Sequence, residues 1–146
     1  MTFEPAISAF YPDRPGIRKV LGDLEAEIME EIWSRPSEQG TTVRDIFEVL
    51  YERRRLAYTT IMSTMSRLAK KQVLRVEKQE HTYIYYPNFT QQEFIERFVS
   101  RIVEDLLVSF TGETLSALGK QESLESAEQA RSILDAITRQ REKEAE

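Results

Sequence analysis

Residues 56–71 read LAYTTIMSTMSRLAKK, and this stretch decides which fold the sequence predicts. At 100° per residue, a helix over residues 57–71 has an apolar side and a small-polar side. The apolar side consists of Ala57, Ile61, Met65 and Leu68. The opposite side consists of Thr59, Ser63, Ser66 and Lys70. The pattern predicts a short helix that packs one face on a core and leaves a polar face outside.

The segments on either side of this helix predict another helix before it and a β-hairpin after it. Thr42 begins a preceding helix with a capping-box pattern, although Asp45 is shorter than the preferred Glu. Residues 73–78 and 83–86 are rich in β-branched and aromatic residues, with a polar tip at 79–82, and predict a hairpin. The predicted order is a helix, then a helix with a small-polar face, then a hairpin. This order is typical of a winged helix-turn-helix, in which the polar face of the second of these helices enters the DNA major groove.

One more helix is predicted before these elements, opening near Leu21. Its inner side consists of Leu24, Ile28, Ile32 and Trp33. Four glutamates are expected outside: Glu25, Glu27, Glu30 and Glu31. Acidic residues favour the early turns of a helix because of the helix dipole.

The C-terminal part predicts helices that pair two copies of the chain. Thr90 and Glu93 form a capping box that starts a helix reaching about Phe110. Its apolar positions cover more than one stripe, so it must bury two surfaces, one of them against a second copy. Residues 114–119 predict a short helix or turn, and residues 123–140 a final helix. The expected dimerisation residues are Phe94, Phe98, Ile102, Leu106, Phe110, Leu134 and Ile137.

The predicted fold class is mainly α with a small β-hairpin. We expect a flexible N-terminal arm over residues 1–19, a winged-helix DNA-binding domain over 20–88 and a helical dimerisation domain over 89–146.

Composition narrows the class of protein. The 146 residues contain no Cys and one His, which excludes disulfides, thiolate metal sites and a histidine-based metal centre. We therefore expect no cofactor, no metal and no enzymatic activity. No apolar run approaches the ~20 residues of a membrane helix. The N-terminus lacks a signal-peptide pattern, so we expect a cytoplasmic protein without membrane insertion.

Positive charge is concentrated around the third helix and the hairpin. The chain as a whole carries a net charge of −5, which by itself argues against a nucleic-acid partner. Residues 53–80, however, hold eight basic and two acidic side chains, a net charge of +6. Phosphate attraction is screened within ~10 Å at moderate salt, so a local positive field is what DNA binding requires.

Candidate DNA-binding residues lie on the third helix, before it and at the wing tip. They are Arg54, Tyr58, Thr59, Thr60, Met62, Ser63, Ser66, Arg67, Lys70, Lys71, Lys78 and His81. Hydroxyls can bond base edges or phosphates, and Met or Thr methyl groups can contact thymine. The residues expected to face the groove are Thr59, Met62, Ser63 and Ser66. None of these is Arg, Asn or Gln, so we expect modest discrimination between bases per contact and a large share of the specificity from dimer spacing.

Other interpretations of these residues remain open. The polar face of the third helix is also typical of an ordinary solvent-exposed helix. The basic residues are also typical of an ordinary cluster of surface charges. The end of the preceding helix carries Arg53, Arg54 and Arg55, and these cations can instead stabilise that helix by interacting with the negative end of its dipole. Tyr58 can pack across the start of its own helix. Because neither Ala57 nor Tyr58 is a good N-cap, the first amides can bind a phosphate, a loop carbonyl or water.

An ordered set of residues extends from the first helix to the hairpin: Leu21 to Glu25, Ile28-Met29, Ile32-Trp33, Thr42-Val43-Arg44, Leu56 to Met62, Arg67 to Lys71 and Tyr83 to Pro87. This set resembles the penicillinase-repressor family, the β-lactamase, methicillin-resistance and copper-operon repressors, over about residues 20–120. The resemblance implies a homodimer with winged-helix heads and interlocking C-terminal helices. It also implies repression through a palindromic, inverted-repeat operator in double-stranded DNA.

Two departures from the family bear on induction. Copper-responsive members end in a cysteine-rich hook, and this chain has no Cys. Antibiotic-resistance repressors are cleaved at an Asn-Phe bond in the C-terminal helices, which implies a membrane sensor-protease system as a partner. The one Asn-Phe pair here is Asn88-Phe89, just after the wing, and the matching region reads LSALGK at 115–120. The sequence therefore argues against cleavage at the family's position.

Two alternative functions accompany the repressor hypothesis. One is a winged-helix module for protein–protein interaction, which the local charge of +6 disfavours. The other is a ligand-sensing repressor without proteolytic induction.

Overall fold

The computed structural model describes residues 4–7, 9–122 and 127–145. A 3₁₀ turn at Gly16–Lys19 precedes the longer elements. In chain order these are α1 (Asp23–Trp33), α2 (Val43–Arg54), α3 (Tyr58–Lys70), β1 (Leu74–Gln79), β2 (Thr82–Pro87), α4 (Gln91–Ser109), α5 (Thr111–Glu122) and α6 (Ala127–Ala145). The predicted fold class, mainly helical with a β-hairpin, is confirmed.

The chain divides into two compact units, Met1–Arg101 and Ile102–Glu146. In the first unit, α1, α2 and α3 bury their apolar faces on one another, and Leu74 and Tyr85 add the inner side of the hairpin. The unit extends beyond the wing because Phe94 and Phe98 of α4 are also buried in it. The ring of Phe94 lies 5.6 Å from that of Trp33, between centroids.

The hairpin, hereafter the wing, is antiparallel, with Leu74 opposite Pro87 and Gln79 opposite Thr82. A third segment that the sequence did not predict joins it. Thr41 and Tyr85 exchange two backbone hydrogen bonds, of 2.9 and 2.8 Å. The preceding Gly40 has φ +70°, a conformation that glycine adopts without steric cost. This bridge ties the wing to the loop before α2.

Both predicted capping boxes are present. The Thr42 N–H donates to Asp45 Oδ2 over 3.0 Å, and the Asp45 N–H donates back to Thr42 Oγ1 over 3.1 Å. Thr90 and Glu93 make the same exchange at the start of α4. The hydrogen bonds that Glu93 accepts from Thr90 lower the pKa of its carboxyl below the ordinary value. Its contribution to helix stability is therefore present near neutral pH and is lost as the pH falls through that lowered pKa.

One glutamate expected on the outside of α1 is inside instead. Glu25 is 5% exposed, and the Lys71 Nζ lies 2.8 Å from its Oε2 and 3.1 Å from its Oε1. Its Oε1 also accepts from the Gly22 N–H over 3.0 Å. The prediction for Glu25 was wrong because helical periodicity places a residue on a face but does not show which element covers that face.

The second unit contains the end of α4 with α5 and α6. The turn or short helix predicted at 114–119 is part of the twelve-residue α5. The predicted final helix is observed from Ala127 onward, and residues 123–126 lie outside the described residues. Large apolar side chains are exposed here, including Phe110 at 58% and Leu134 at 60%. Within the described ranges, no helix combines the length and apolarity that a membrane crossing requires.

Candidate nucleic-acid interface

The two predicted faces of α3 are observed. Ile61, Met65 and Leu68 are fully buried, whereas Thr59, Ser63, Ser66 and Lys70 are exposed. Ala57 is an exception, because it is the exposed N-cap rather than part of the buried stripe. Thr64 is buried although it is polar, and its hydroxyl donates to the Thr60 carbonyl over 2.8 Å. The outer face of α3 therefore presents short hydroxyl side chains on a rigid helix.

The start of α3 lacks a side-chain cap, as predicted. Ala57 has the extended backbone of an N-cap residue but no side-chain oxygen to accept from the first amides. Beside it, the Tyr58 ring packs edge-on against Phe47, with 5.5 Å between centroids, and remains 42% exposed. The packing proposed for Tyr58 is thus present, and much of the side chain stays accessible.

A cleft of about 600 Å³ lies between the start of α2, the outer face of α3 and the wing. It brings together four predicted site residues, namely Tyr58, Met62, Ser66 and His81. Its other lining residues are Thr42, Val43, Arg44, Val76, Thr82, Tyr83 and Tyr85. A second depression, of about 420 Å³, is lined by Met62, Ser63, Ser66, Arg67 and Lys70. The two depressions share Met62 and Ser66 and therefore form one continuous surface along α3. The predicted residues Thr59 and Thr60 are exposed on the same helix but line neither depression, and neither does Lys71.

Arg44 and Tyr83 belong to this surface and were missed in the sequence. Arg44 is exposed in the first turn of α2, 3.7 Å from Glu48, and resembles any surface arginine with an i,i+4 partner. Tyr83 is one of the aromatic residues on which the hairpin prediction rested, and it is 54% exposed. Alternation along β2 places Tyr83 on the same side as Tyr85, which is the one sequence signal for its position.

Half of the basic residues counted between 53 and 80 are engaged in ion pairs. Arg53, Arg54 and Lys71 pair with glutamates of α1, and Arg75 pairs with Glu77. The three glutamates of α1 are Glu31, Glu27 and Glu25, which lie outside the sequence window that gave a charge of +6. The Arg54 Nε lies 3.1 Å from the Glu27 Oε2. Arg54 and Lys71 are thus held by α1.

The remaining four cations lie at the end of α2, on the last turn of α3 and near the wing tip. In the described part of the chain, Arg67 and Lys70 on the last turn of α3 have no carboxylate within ion-pair distance, and neither do Arg55 and Lys78. Lys78 lies near the wing tip, with its Nζ 5.9 Å from the centroid of the Tyr83 ring. Cations that are free of intramolecular partners are the ones available to neutralise phosphates.

The Asn88-Phe89 bond lies inside the folded first unit. The Asn88 N–H donates to the Val73 carbonyl over 3.1 Å, and the Trp33 indole N–H donates to the Phe89 carbonyl over 2.9 Å. The Phe89 side chain is buried. A protease would have to unfold this junction locally to reach the bond.

The chain matches a protein-family model described as penicillinase repressor over residues 21–139. It is 41% identical over 75 residues to the transcriptional regulator BlaI of two Mycobacterium tuberculosis strains, CDC 1551 / Oshkosh and H37Rv. That alignment covers 51% of this chain and 53% of each relative, so the chain spans about half the length of these relatives.

Two further similarities are weaker. An uncharacterized 16.5 kDa protein from the ptsI 3′ region of Latilactobacillus sakei is 30% identical over 100 residues, covering 68% of this chain and 66% of that protein. A solution structure of the DNA-binding domain of the repressor BlaI is 24% identical, with a TM-score of 0.45. It covers 56% of this chain and 95% of that domain.

Proposed function

Because this chain belongs to the penicillinase repressor family, we propose that it represses transcription by binding double-stranded DNA through α3 and the wing. The observation that carries the proposal is the continuous surface formed by the hydroxyl face of α3 and the cleft beside the wing. A helix of this kind, with its side chains facing outward beside a hairpin, has the dimensions that the major groove admits.

Each part of the surface has a chemical role in this proposal. Thr59, Ser63 and Met62 contact base edges and thymine methyl groups, and the uncapped amides at the start of α3 hold a phosphate. Arg67 and Lys70 neutralise phosphates beyond the other end of the helix. The wing-tip residues Lys78 and His81 extend these contacts on one side. Arg44 extends them on the other, because its 3.7 Å pair with Glu48 is solvent-exposed and can be exchanged for a phosphate. Lys71 and Arg54 act through their ion pairs within the protein instead.

We propose that the operator is an inverted repeat bound by a homodimer. The support is the exposed apolar surface of the second unit, which includes Leu106, Phe110, Leu134 and Ile137. Apolar side chains of this number and size are costly to leave in water. Phe94 and Phe98 are already buried in the first unit, so the proposed interface depends mainly on the exposed residues beyond them.

Binding of the full-length chain to DNA tests the proposal directly. Fluorescence anisotropy would compare an inverted-repeat fragment from the promoter beside the gene with a scrambled fragment of equal length and composition. We expect the inverted repeat to bind at least ~10³-fold more tightly at physiological salt. Equal affinities would contradict sequence-specific repression, and no binding to either fragment at low salt would favour a protein-interaction module.

Different residues of α3 are expected to determine the specificity of DNA binding and its overall affinity. Replacing Thr59 and Ser63 together by Ala should lower the ratio of inverted-repeat to scrambled affinity by about tenfold, because both changes remove hydroxyls that contact bases. Lys70→Ala is the matched control from the same exposed face. It should weaken both fragments about equally and reduce the magnitude of the salt slope by about 1. A specificity ratio that is unchanged in the double variant would exclude these hydroxyls as base contacts.

The dimer is tested by one charge placed on α6. Leu134→Asp should raise the dimer dissociation constant by about tenfold or more in analytical ultracentrifugation, because the carboxylate would have to be desolvated in an apolar interface. Ser132→Asp adds the same charge on the opposite side of α6 and should leave the association unchanged. If both variants remain as dimeric as the unmodified chain, α6 does not form the interface.

A further inference from the structure

The family match begins at residue 21, and the segment before it makes specific contacts with the end of α3. Of the N-terminal arm predicted over residues 1–19, the described part that precedes the 3₁₀ turn comprises residues 4–7 and 9–15, hereafter the arm. The Ala6 N–H in this arm donates to the Lys71 carbonyl over 2.8 Å, and the neighbouring Pro5 is buried. Lys71 is the C-cap of α3. The last carbonyls of a helix have no partner within the helix, so the arm supplies a hydrogen bond that α3 itself lacks.

The arm is anchored at further points along the first unit. The Glu4 carboxylate accepts from the Arg97 guanidinium of α4 over 2.6 Å, and that guanidinium lies 5.1 Å from the centroid of the Phe89 ring. Farther along, the Tyr11 N–H donates to the Lys19 carbonyl over 2.7 Å. The Lys19 ammonium donates back to the carbonyls of Pro12 and Arg14. The arm therefore joins the end of α3 to α4 on one side and to the 3₁₀ turn on the other.

The position of this contact connects it with DNA binding. Arg67 and Lys70 occupy the last turn of α3, directly before the residue that the arm holds. The Lys71 N–H donates to the Arg67 carbonyl over 3.0 Å, so the cap and the cations belong to the same turn. A cation on a fixed turn loses less conformational freedom when it meets a phosphate than one on a frayed turn.

We propose that the N-terminal arm is a positioning element for DNA binding. Through the Ala6–Lys71 hydrogen bond and the Glu4–Arg97 ion pair, it fixes the C-terminal end of α3 and thereby sets where Arg67 and Lys70 meet the DNA backbone. This role rests on the proposed function of the chain as a DNA-binding repressor. The arm itself touches no DNA in this scheme and acts through the turn that it holds.

The decisive comparison is between Ala6→Pro and Ala6→Gly in the full-length chain. Proline has no backbone N–H to donate to the Lys71 carbonyl, whereas glycine keeps this donor. The Ala6 side chain is exposed, so its loss or replacement contributes little in either variant. In the free protein, Ala6→Pro should speed hydrogen exchange at the amides of residues 71–73, and Ala6→Gly should not. The affinity for the inverted repeat should fall by up to about fivefold for Ala6→Pro and stay unchanged for Ala6→Gly, because ordering the freed turn on DNA costs at most about the free energy of one hydrogen bond.

A charge exchange provides a second, independent variant set. Glu4→Arg and Arg97→Glu should each speed hydrogen exchange at residues 71–73. The double variant has the net charge of the unmodified chain and forms the pair with reversed polarity, so it should restore both the slow exchange and the DNA affinity. The proposal is overturned if Ala6→Pro and Ala6→Gly bind the inverted repeat with equal affinity. It is also overturned if hydrogen exchange at residues 71–73 becomes faster in Ala6→Pro while the DNA affinity is unchanged, since the arm would then be only structural. Failure of the unmodified chain to select the inverted repeat would instead overturn the proposed function, because the exchange measurement needs no DNA.

Discussion

Lys71→Met is expected to lower the free energy of unfolding by about 2–3 kcal/mol, because it leaves the Glu25 carboxylate buried without its cation. Glu25 is 5% exposed and the Lys71 Nζ lies 2.8 Å from it, so water cannot replace the missing ammonium without opening the contact between α1 and α3. This loss of unfolding free energy is smaller than that expected for a fully enclosed ion pair, because the Lys71 side chain is 20% exposed to solvent. The Gly22 N–H remains as one donor to the carboxylate.

Lys70→Met is the matched control for this variant. It removes the same charge from the adjacent residue, but Lys70 is exposed and has no carboxylate within ion-pair distance in the described part of the chain. Chemical denaturation should show an unchanged midpoint for Lys70→Met and a clearly lower one for Lys71→Met, with similar m-values. Equal midpoints for both variants would mean that the buried ion pair contributes nothing to stability.

Gly40→Ala is expected to cost about 2–4 kcal/mol and to loosen the wing. Gly40 has φ +70°, and a Cβ there would overlap Cγ2 of Ile84 and lie 3.0 Å from two carbons of the Tyr86 ring. Both obstacles are side chains of β2, so these side chains or the strand itself must shift to accept the methyl group. The adjacent Thr41–Tyr85 bridge, which joins the wing to the loop, should open with it.

Gly16→Ala separates the two causes of this effect. Gly16 has φ +54° but nothing within 4 Å of a Cβ, so the substitution introduces backbone strain without overlap. It should cost about 1 kcal/mol, and the additional cost at Gly40 measures the contact with the wing. Hydrogen exchange at the Tyr85 amide should rise in Gly40→Ala and not in Gly16→Ala. Equal destabilisation by the two variants would show that the conformation of Gly40 matters and its contact with β2 does not.

These two predictions concern features that the sequence analysis did not reveal. Helical periodicity placed Glu25 on a face of α1 but left open what covers that face, and Lys71 was assigned to phosphate contact on the strength of local charge. Gly40 lies in a loop between predicted elements, and its neighbour on β2, Ile84, is 44 residues further along the chain. Neither relation has a local pattern.

The features that depend on short-range physics were predicted from the sequence alone. The faces of α3, the two capping boxes and the wing each depend on residues within a few positions of one another, because helix and strand periods act over one or two turns. The concentration of positive charge between residues 53 and 80 is equally local. These features were sufficient to predict a winged helix with a polar outer face.

Only the tertiary structure decided which charged residues remain available at that surface. Glu25, Glu27 and Glu31 meet Lys71, Arg54 and Arg53 across elements that are distant in sequence, while Arg67 and Lys70 stay free of carboxylates in the described part of the chain. Arg44 enters the surface because α2 begins beside the wing. Ion pairing and burial depend on distances in space, over which Coulomb interactions act, and these distances are set when the elements pack. The sequence by itself determined α3 and its two faces, and packing determined which of the cations around it are held in ion pairs.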